Sequence, residues 1–104
     1  MWNAAGGTAY AGKPRPVVIV QDDRFSGTAS VTVCPFTSDP TEARLIRLPI
    51  EASEANGLNA RSRLMVDKLT TLSRGQVRAR LGVLSDEDML RLNRAILVFL
   101  GLAG

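Results

Sequence analysis

Residues 14–36, PRPVVIVQDDRFSGTASVTVCPF, decide the fold. Val17–Gln21 opens as an unbroken β-branched run just after Pro14-Arg15-Pro16 and is bounded by Asp22-Asp23, the pattern of a buried strand. Ser30–Phe36 alternates: Val31, Val33 and Pro35 fall on one side, Thr32, Cys34 and Phe36 on the other. Gly27-Thr28 supplies a turn before it. Together these runs predict a hairpin with a long loop.

Outward from this pair, Ala43–Glu51 again reads with period two and one half-polar face, and Pro49 marks it as an edge or bulged strand. Asn56-Gly57 marks a turn. Ser62–Leu69 reads as another strand, and Arg78–Leu84 as a last short one. Ser73 and Gln76 have capping-box spacing, which predicts a single helical turn between them. The tail is a helix. Ser85 is its N-cap, and Asp88 stands three residues on, within reach of the cap amide. Asp86, Glu87 and Asp88 sit at the positive end of the helix, so capping explains all three without a metal. Met89, Leu92, Ile96 and Phe99 recur at helical spacing, widened by Leu90, Leu97 and Leu100, and Gly101 suits the C′ position. About five short strands and one C-terminal helix predict a mostly β (α+β) domain. A small, partly open barrel capped by the helix is the economical packing. Pairing with a second copy would cover its edges.

Composition narrows the chemistry. At 104 residues, 1–104 is a single domain, long enough to bury a core without disulfide staples. One Cys and no His leave no usual zinc site, no internal disulfide and no His-based triad. No signal peptide and no apolar run long enough to span a bilayer are visible, so a cytoplasmic protein with no membrane association is expected. The formal charge is +3, and among 13 basic residues only Lys13 and Lys68 are Lys. Arg suits bidentate contact with phosphate. Residues 61–80 hold Arg61, Arg63, Lys68, Arg74, Arg78 and Arg80 against Asp67 alone, six positive charges to one negative. That stretch is either a solvated basic face or a surface for a polyanion or an acidic partner.

Four places could carry chemistry. Pro14 and Pro16 stiffen Lys13-Pro14-Arg15-Pro16 and hold Arg15 extended at the mouth of the first strong strand. Thr37-Ser38 ends the next strand; its hydroxyls could donate to phosphate or cap a turn before Asp39-Pro40. Asp67 could be a counter-ion to Arg61, Arg63 or Lys68, or a proton acceptor. Cys34 reads as an inert buried thiol.

In order along the chain, GKPRPVVIVQ (residues 12–21), VTVCPFTS (31–38), MVDKLTT (65–71) and LSDEDM (84–89) resemble the MazF/PemK family of type II toxin–antitoxin toxins. The resemblance implies an SH3-like barrel of the CcdB/MazF type with a C-terminal helix, a homodimer, and a cognate antitoxin partner. It also implies a metal-independent endoribonuclease, with no cofactor, acting on single-stranded RNA, often mRNA, to arrest growth. In that reaction the RNA's own 2′-hydroxyl attacks the adjacent phosphate and leaves 2′,3′-cyclic phosphate and 5′-hydroxyl ends. By position, Arg15 matches the family's catalytic Arg, Thr37 its catalytic Thr or Ser, and Asp67 an acid that some members use as a base. Lys13, Arg24, Phe25, Ser38, Arg61, Arg63 and Lys68 are the expected RNA contacts, with Phe25 over the site. Two departures stand out. Met65 occupies a position where some members place Arg. The chain also starts at Met1-Trp2, which looks like the end of the family's first strand, either shortened or diverged. Two other readings stay open. One is a gyrase poison of the CcdB kind, whose C-terminal Trp the tail here lacks. The other is an RNA-binding barrel without activity.

Overall fold

The computed structural model describes residues 1–4 and 15–103, and of Asn3 the backbone alone. The predicted pair appears as β2 (Arg15–Ile19) and β3 (Ser30–Thr37), antiparallel, with Val17 opposite Pro35 and Ile19 opposite Val33. β1 (Trp2–Ala4) lies on the other side of β2 and pairs in turn with β7 (Val77–Arg80). On the far side of β3 come β5 (Ser62–Met65) and then β4 (Arg47–Ile50), giving the order β4-β5-β3-β2-β1-β7. β6 (Thr70–Ser73) also pairs with β3, along its first half. Among the described residues the sheet bends around β3 without closing, and α1 (Asp86–Phe99) packs on one side. This is the mostly β barrel-like architecture with a C-terminal helix that the pattern predicts.

The alternation in β3 explains how a strand can be buried on both faces. Cys34 and Phe36 enter a core shared with Val18, Ile50, Leu64, Val66, Leu84 and Leu92 of the helix. Val31 and Val33 enter a second, smaller core with Ala4, Val17 and Leu72. Leu92 is fully buried, and its truncation to Ala would cost about 2–5 kcal/mol. Pro49 sits on β4, which pairs only with β5 among the described residues, so the edge assignment stands.

Four details differ from the sequence reading. First, only Arg47–Ile50 of the predicted Ala43–Glu51 strand is extended. The preceding residues form a turn in which the N–H groups of Ile46 and Arg47 both donate to Ala43 O, at 2.9 and 2.7 Å. Second, the Ser62–Leu69 strand breaks at Met65 into a helical turn, Val66–Lys68, and resumes as β6, a strand the sequence reading did not contain. β5 sets Leu64 opposite Phe36, whereas β6 sets Thr70 opposite Val33. The strand thus runs along β3 as one line with three residues inserted, a bulge by another name. Third, the last strand is Val77–Arg80, not Arg78–Leu84. Gly82 lies beyond its end, packed so tightly that a Cβ on it would stand 2.3 Å from Ala55 O. Finally, the Asp88 carboxylate does not reach back to the cap amide. It accepts from Arg91 Nη1 at 2.7 Å, while Ser85 Oγ accepts the Asp88 N–H at 3.1 Å as an N-cap should.

The remaining turn and cap signals are met. At the Ser73 turn, Gln76 Oε1 accepts the Ser73 N–H at 3.0 Å. Gly101 has φ +76°, and the N–H groups of Gly101 and Leu102 donate to Val98 O and Leu97 O, closing the helix in a Schellman motif. The Asn56-Gly57 turn is a small hub: buried Asn56 accepts from the Ser53 and Leu58 amides, each at 3.0 Å, and donates to Glu51 O at 2.9 Å.

Candidate active-site cleft

At the Thr37 end of β3 an open cleft of about 530 Å³ is lined by Arg15, Pro35, Phe36, Thr37, Met65, Lys68, Leu69 and Thr70. The strand register explains why Arg15 and Thr37 meet there. Val17 is opposite Pro35, and residues two apart share a face, so Arg15 comes level with Thr37 on that same face. The three-residue insertion delivers Lys68 and Leu69. Met65 and Leu69 form an apolar wall beside the polar group of Arg15, Thr37, Lys68 and Thr70.

Thr37 is already oriented. Its Oγ1 accepts the Asp39 N–H at 3.1 Å, which settles the turn-capping alternative and still leaves the hydroxyl proton free to donate. The turn is reinforced by Asp39, whose carboxylate accepts the Thr41 hydroxyl at 2.7 Å and the Thr41 N–H at 2.9 Å. These two bonds hold the Asp39 carboxyl below its ordinary value. Ser38 is exposed next to Thr37. Arg15 and Lys68 have no ion-pair partner among the described residues. Lys13 lies outside the described residues.

The other expected site residues are elsewhere or otherwise engaged. Asp67 pairs with Arg47 of β4, not with Arg61, Arg63 or Lys68. Arg61 pairs with Glu51 at 2.9 Å and Arg63 with Glu42 at 3.0 Å, the Arg63 side chain being only 10% exposed. Arg74 turns into the loop before β3, where its guanidinium donates to Thr28 O and Phe25 O. Within the basic run of 61–80, Arg61, Arg63 and Arg74 are thus each engaged separately, while Lys68, Arg78 and Arg80 have no ion-pair partner among the described residues.

Arg24 and Phe25 sit in the turn Asp23–Phe25, at the opposite end of the β2–β3 pair. The length of β3 puts them roughly 20 Å from Thr37, so Phe25 is not over the cleft of its own chain. Phe25 is exposed, with the Arg24 guanidinium 5.9 Å from its ring centre and paired to Asp22 at 3.2 Å. Cys34 is the inert thiol expected: burial, and then the Asp67 charge, push it up to about 12. Arg47 is the neighbour that sequence reasoning missed. Only its place on β4, opposite Met65 and paired with Asp67, marks it.

The chain was compared with known families and structures. The model of the PemK-like, MazF-like toxin of type II toxin–antitoxin systems matches residues 2–100. The probable endoribonuclease MazF of Mycolicibacterium smegmatis is 55% identical over 104 residues, all of this chain and 95% of the relative. The endoribonuclease MazF of Staphylococcus saprophyticus is 34% identical over 92 residues, 85% of this chain and 74% of the relative. Among solved structures, the Mycobacterium tuberculosis toxin MazF-mt6 superposes with a TM-score of 0.80 at 24% identity over the whole of both chains. An endoribonuclease from a mycobacterial species, solved with its cognate antitoxin, superposes with a TM-score of 0.78 at 19% identity, covering 99% of this chain and 92% of that one.

Proposed function

We propose, from the premise that this chain belongs to the PemK-like, MazF-like toxin family of type II toxin–antitoxin systems, that it is a toxin that cleaves single-stranded RNA. The observation that carries this reading is the juxtaposition of Arg15 and Thr37 across β2 and β3, with a guanidinium unpaired among the described residues and a free hydroxyl proton facing one cleft.

The reaction needs little from the protein. The substrate's 2′-oxygen bonds to phosphorus and the P–O5′ bond breaks. The 2′-hydroxyl proton leaves to a base, and the departing O5′ gains one. The products are a 2′,3′-cyclic phosphate and a 5′-hydroxyl end. Negative charge grows on the non-bridging oxygens as the phosphorane forms. Arg15 offers two parallel N–H donors to them, and Thr37 donates its hydroxyl to the same phosphate. Arg15 does not serve as base, since a guanidinium keeps its proton. Lys68 adds a point charge from the inserted turn, while Met65 and Leu69 offer an apolar surface for a nucleobase. In this reading no metal or cofactor takes part.

A homodimer is the proposed working form, and a cognate antitoxin the proposed partner. The helix leaves Leu90, Leu97, Val98 and Phe99 exposed, apolar surface that its own core does not cover. The site of action is the cytoplasm, where mRNA is found; no helix among the described residues is long and apolar enough to cross a membrane. The deciding experiment is incubation of single-stranded RNAs of varied sequence with the protein in EDTA. Cleavage with cyclic-phosphate ends is expected. Intact RNA after incubation with folded protein would reject the reading, and gyrase inhibition in a supercoiling assay would replace it.

A further inference from the structure

We propose that Arg47 is a positioning residue for this cleft: by gripping Asp67 it fixes the inserted turn Val66–Lys68, and Asp67 is the anchor of that grip rather than the proton acceptor. The proposal rests on the endoribonuclease reading for its kinetic consequences, but not for its structural ones.

The insertion is where the geometry of the cleft is decided. Without it, β5 and β6 would continue as one strand against β3, and residues 66–68 would lie flat in the ladder. With it, Lys68 and Leu69 swing out to line the cleft beside Thr70. An insertion of this kind lacks ladder bonds of its own and needs fastening. Three fastenings are present. The Val66 side chain is buried in the helix-side core. The Val66 N–H donates to Ile46 O at 3.0 Å. Asp67 accepts from Arg47 Nη1, and that nitrogen also donates to Ile46 O at 3.1 Å. The register of β4, with Arg47 opposite Met65, sets the guanidinium one residue from the insertion.

The carboxylate is committed to Arg47 rather than to the cleft wall. Asp67 does not line the cleft, although Met65 and Lys68 on either side of it do. Its carboxylate is instead engaged by Arg47 of the neighbouring strand β4. The ion pair is sheltered, with the Arg47 side chain 18% exposed and that of Asp67 24%. A pair so shielded holds its geometry better than an open surface pair.

The experiment compares R47Q, D67N and the exchanged pair R47D/D67R in the full chain. Two readouts are used: steady-state cleavage of a single-stranded RNA, and amide exchange of residues 66–69 followed by mass spectrometry. Arginine at position 67 cannot accept a proton, so activity in the exchanged pair speaks for positioning alone. R47Q and D67N should each raise KM about tenfold, change kcat less than about threefold, and speed exchange in the turn. The exchanged pair should return both readouts to within about threefold of wild type.

A dead D67N together with a dead but slowly exchanging R47D/D67R would overturn the proposal and make Asp67 the base. Wild-type KM and exchange in R47Q would also overturn it. Should the exchanged pair fail to fold, K68A decides. Adding R47Q to K68A should raise KM no further, and a further rise of about tenfold rejects action through Lys68. If the wild-type protein cuts no RNA, the endoribonuclease reading fails by itself, and amide exchange alone judges the grip.

Discussion

The two ends of the β2–β3 pair are built from similar residues and left in opposite states. At the Ser30 end, Arg24 is paired with Asp22 and lies over Phe25, and Arg74 fills the loop carbonyls. Gln21 adds to this by donating to Phe25 O at 3.1 Å. At the Thr37 end, Arg15 and Lys68 have no acid among the described residues, and Thr37 keeps an undonated proton. The first end has spent its polar groups on its own fold. The second presents unspent donors around an open cleft, and donors that a fold leaves unused are available to a phosphate. Arginine content thus says little; what each guanidinium already touches says more.

Substitutions at the two ends should separate accordingly. Arg15→Ala should have the largest effect, a fall in kcat/KM of about 10²–10³-fold or more with the melting temperature unchanged, as expected for loss of a donor aimed at developing charge. Cleavage by R15A at the wild-type rate would erase the distinction between the ends. Thr37→Val comes next. It removes both the free donor and the acceptor of the Asp39 amide, for an expected loss of about 10–100-fold, whereas Thr37→Ser should keep most activity. Lys68→Ala should cost about tenfold and flatten the salt dependence of RNA binding, since one phosphate contact disappears. Phe25→Ala and Arg24→Ala should change cleavage less than about twofold. A large loss there would mean that a second copy brings this end to the cleft of its partner.

Cys34 lies in β3 between the two ends and reports on the strand pair itself. With its thiol pushed up to about 12, it should resist alkylation at pH 8 in the folded protein and react once denaturant exposes it. The sign follows from the neutral form being favoured on folding. The contribution is full below the unfolded value near 9 and is lost as pH climbs toward 12. Rapid labelling at pH 8 without denaturant would show that the pair opens.

Much of the fold was legible because its signals are local. The β-branched run at Val17–Gln21, the alternation of Ser30–Phe36 and the Ser85 cap depend on neighbours in sequence, and each marks an observed element, the first strand shifted by two residues to Arg15–Ile19. β6 was hidden because Thr70-Thr71-Leu72-Ser73 buries only Leu72, so it carries half a strand pattern. The resemblance to a family brought Arg15 and Thr37 forward, and the register then set them side by side. The partners of Asp67, Arg61 and Arg63 were misread or unread, since each pair joins side chains ten or more residues apart.

The amino-acid sequence by itself determined the central strand pair, the capped helix and the absence of histidine chemistry. These follow from composition and from periodicities that hydrophobic burial and backbone geometry impose within a few residues. Only the tertiary structure decided which charges remain free. Ion pairing acts over a few ångströms in space without regard to chain distance, so the bend around β3 and the three-residue insertion, not the run of basic residues, leave Arg15 and Lys68 without an acid among the described residues and bind Asp67 to Arg47.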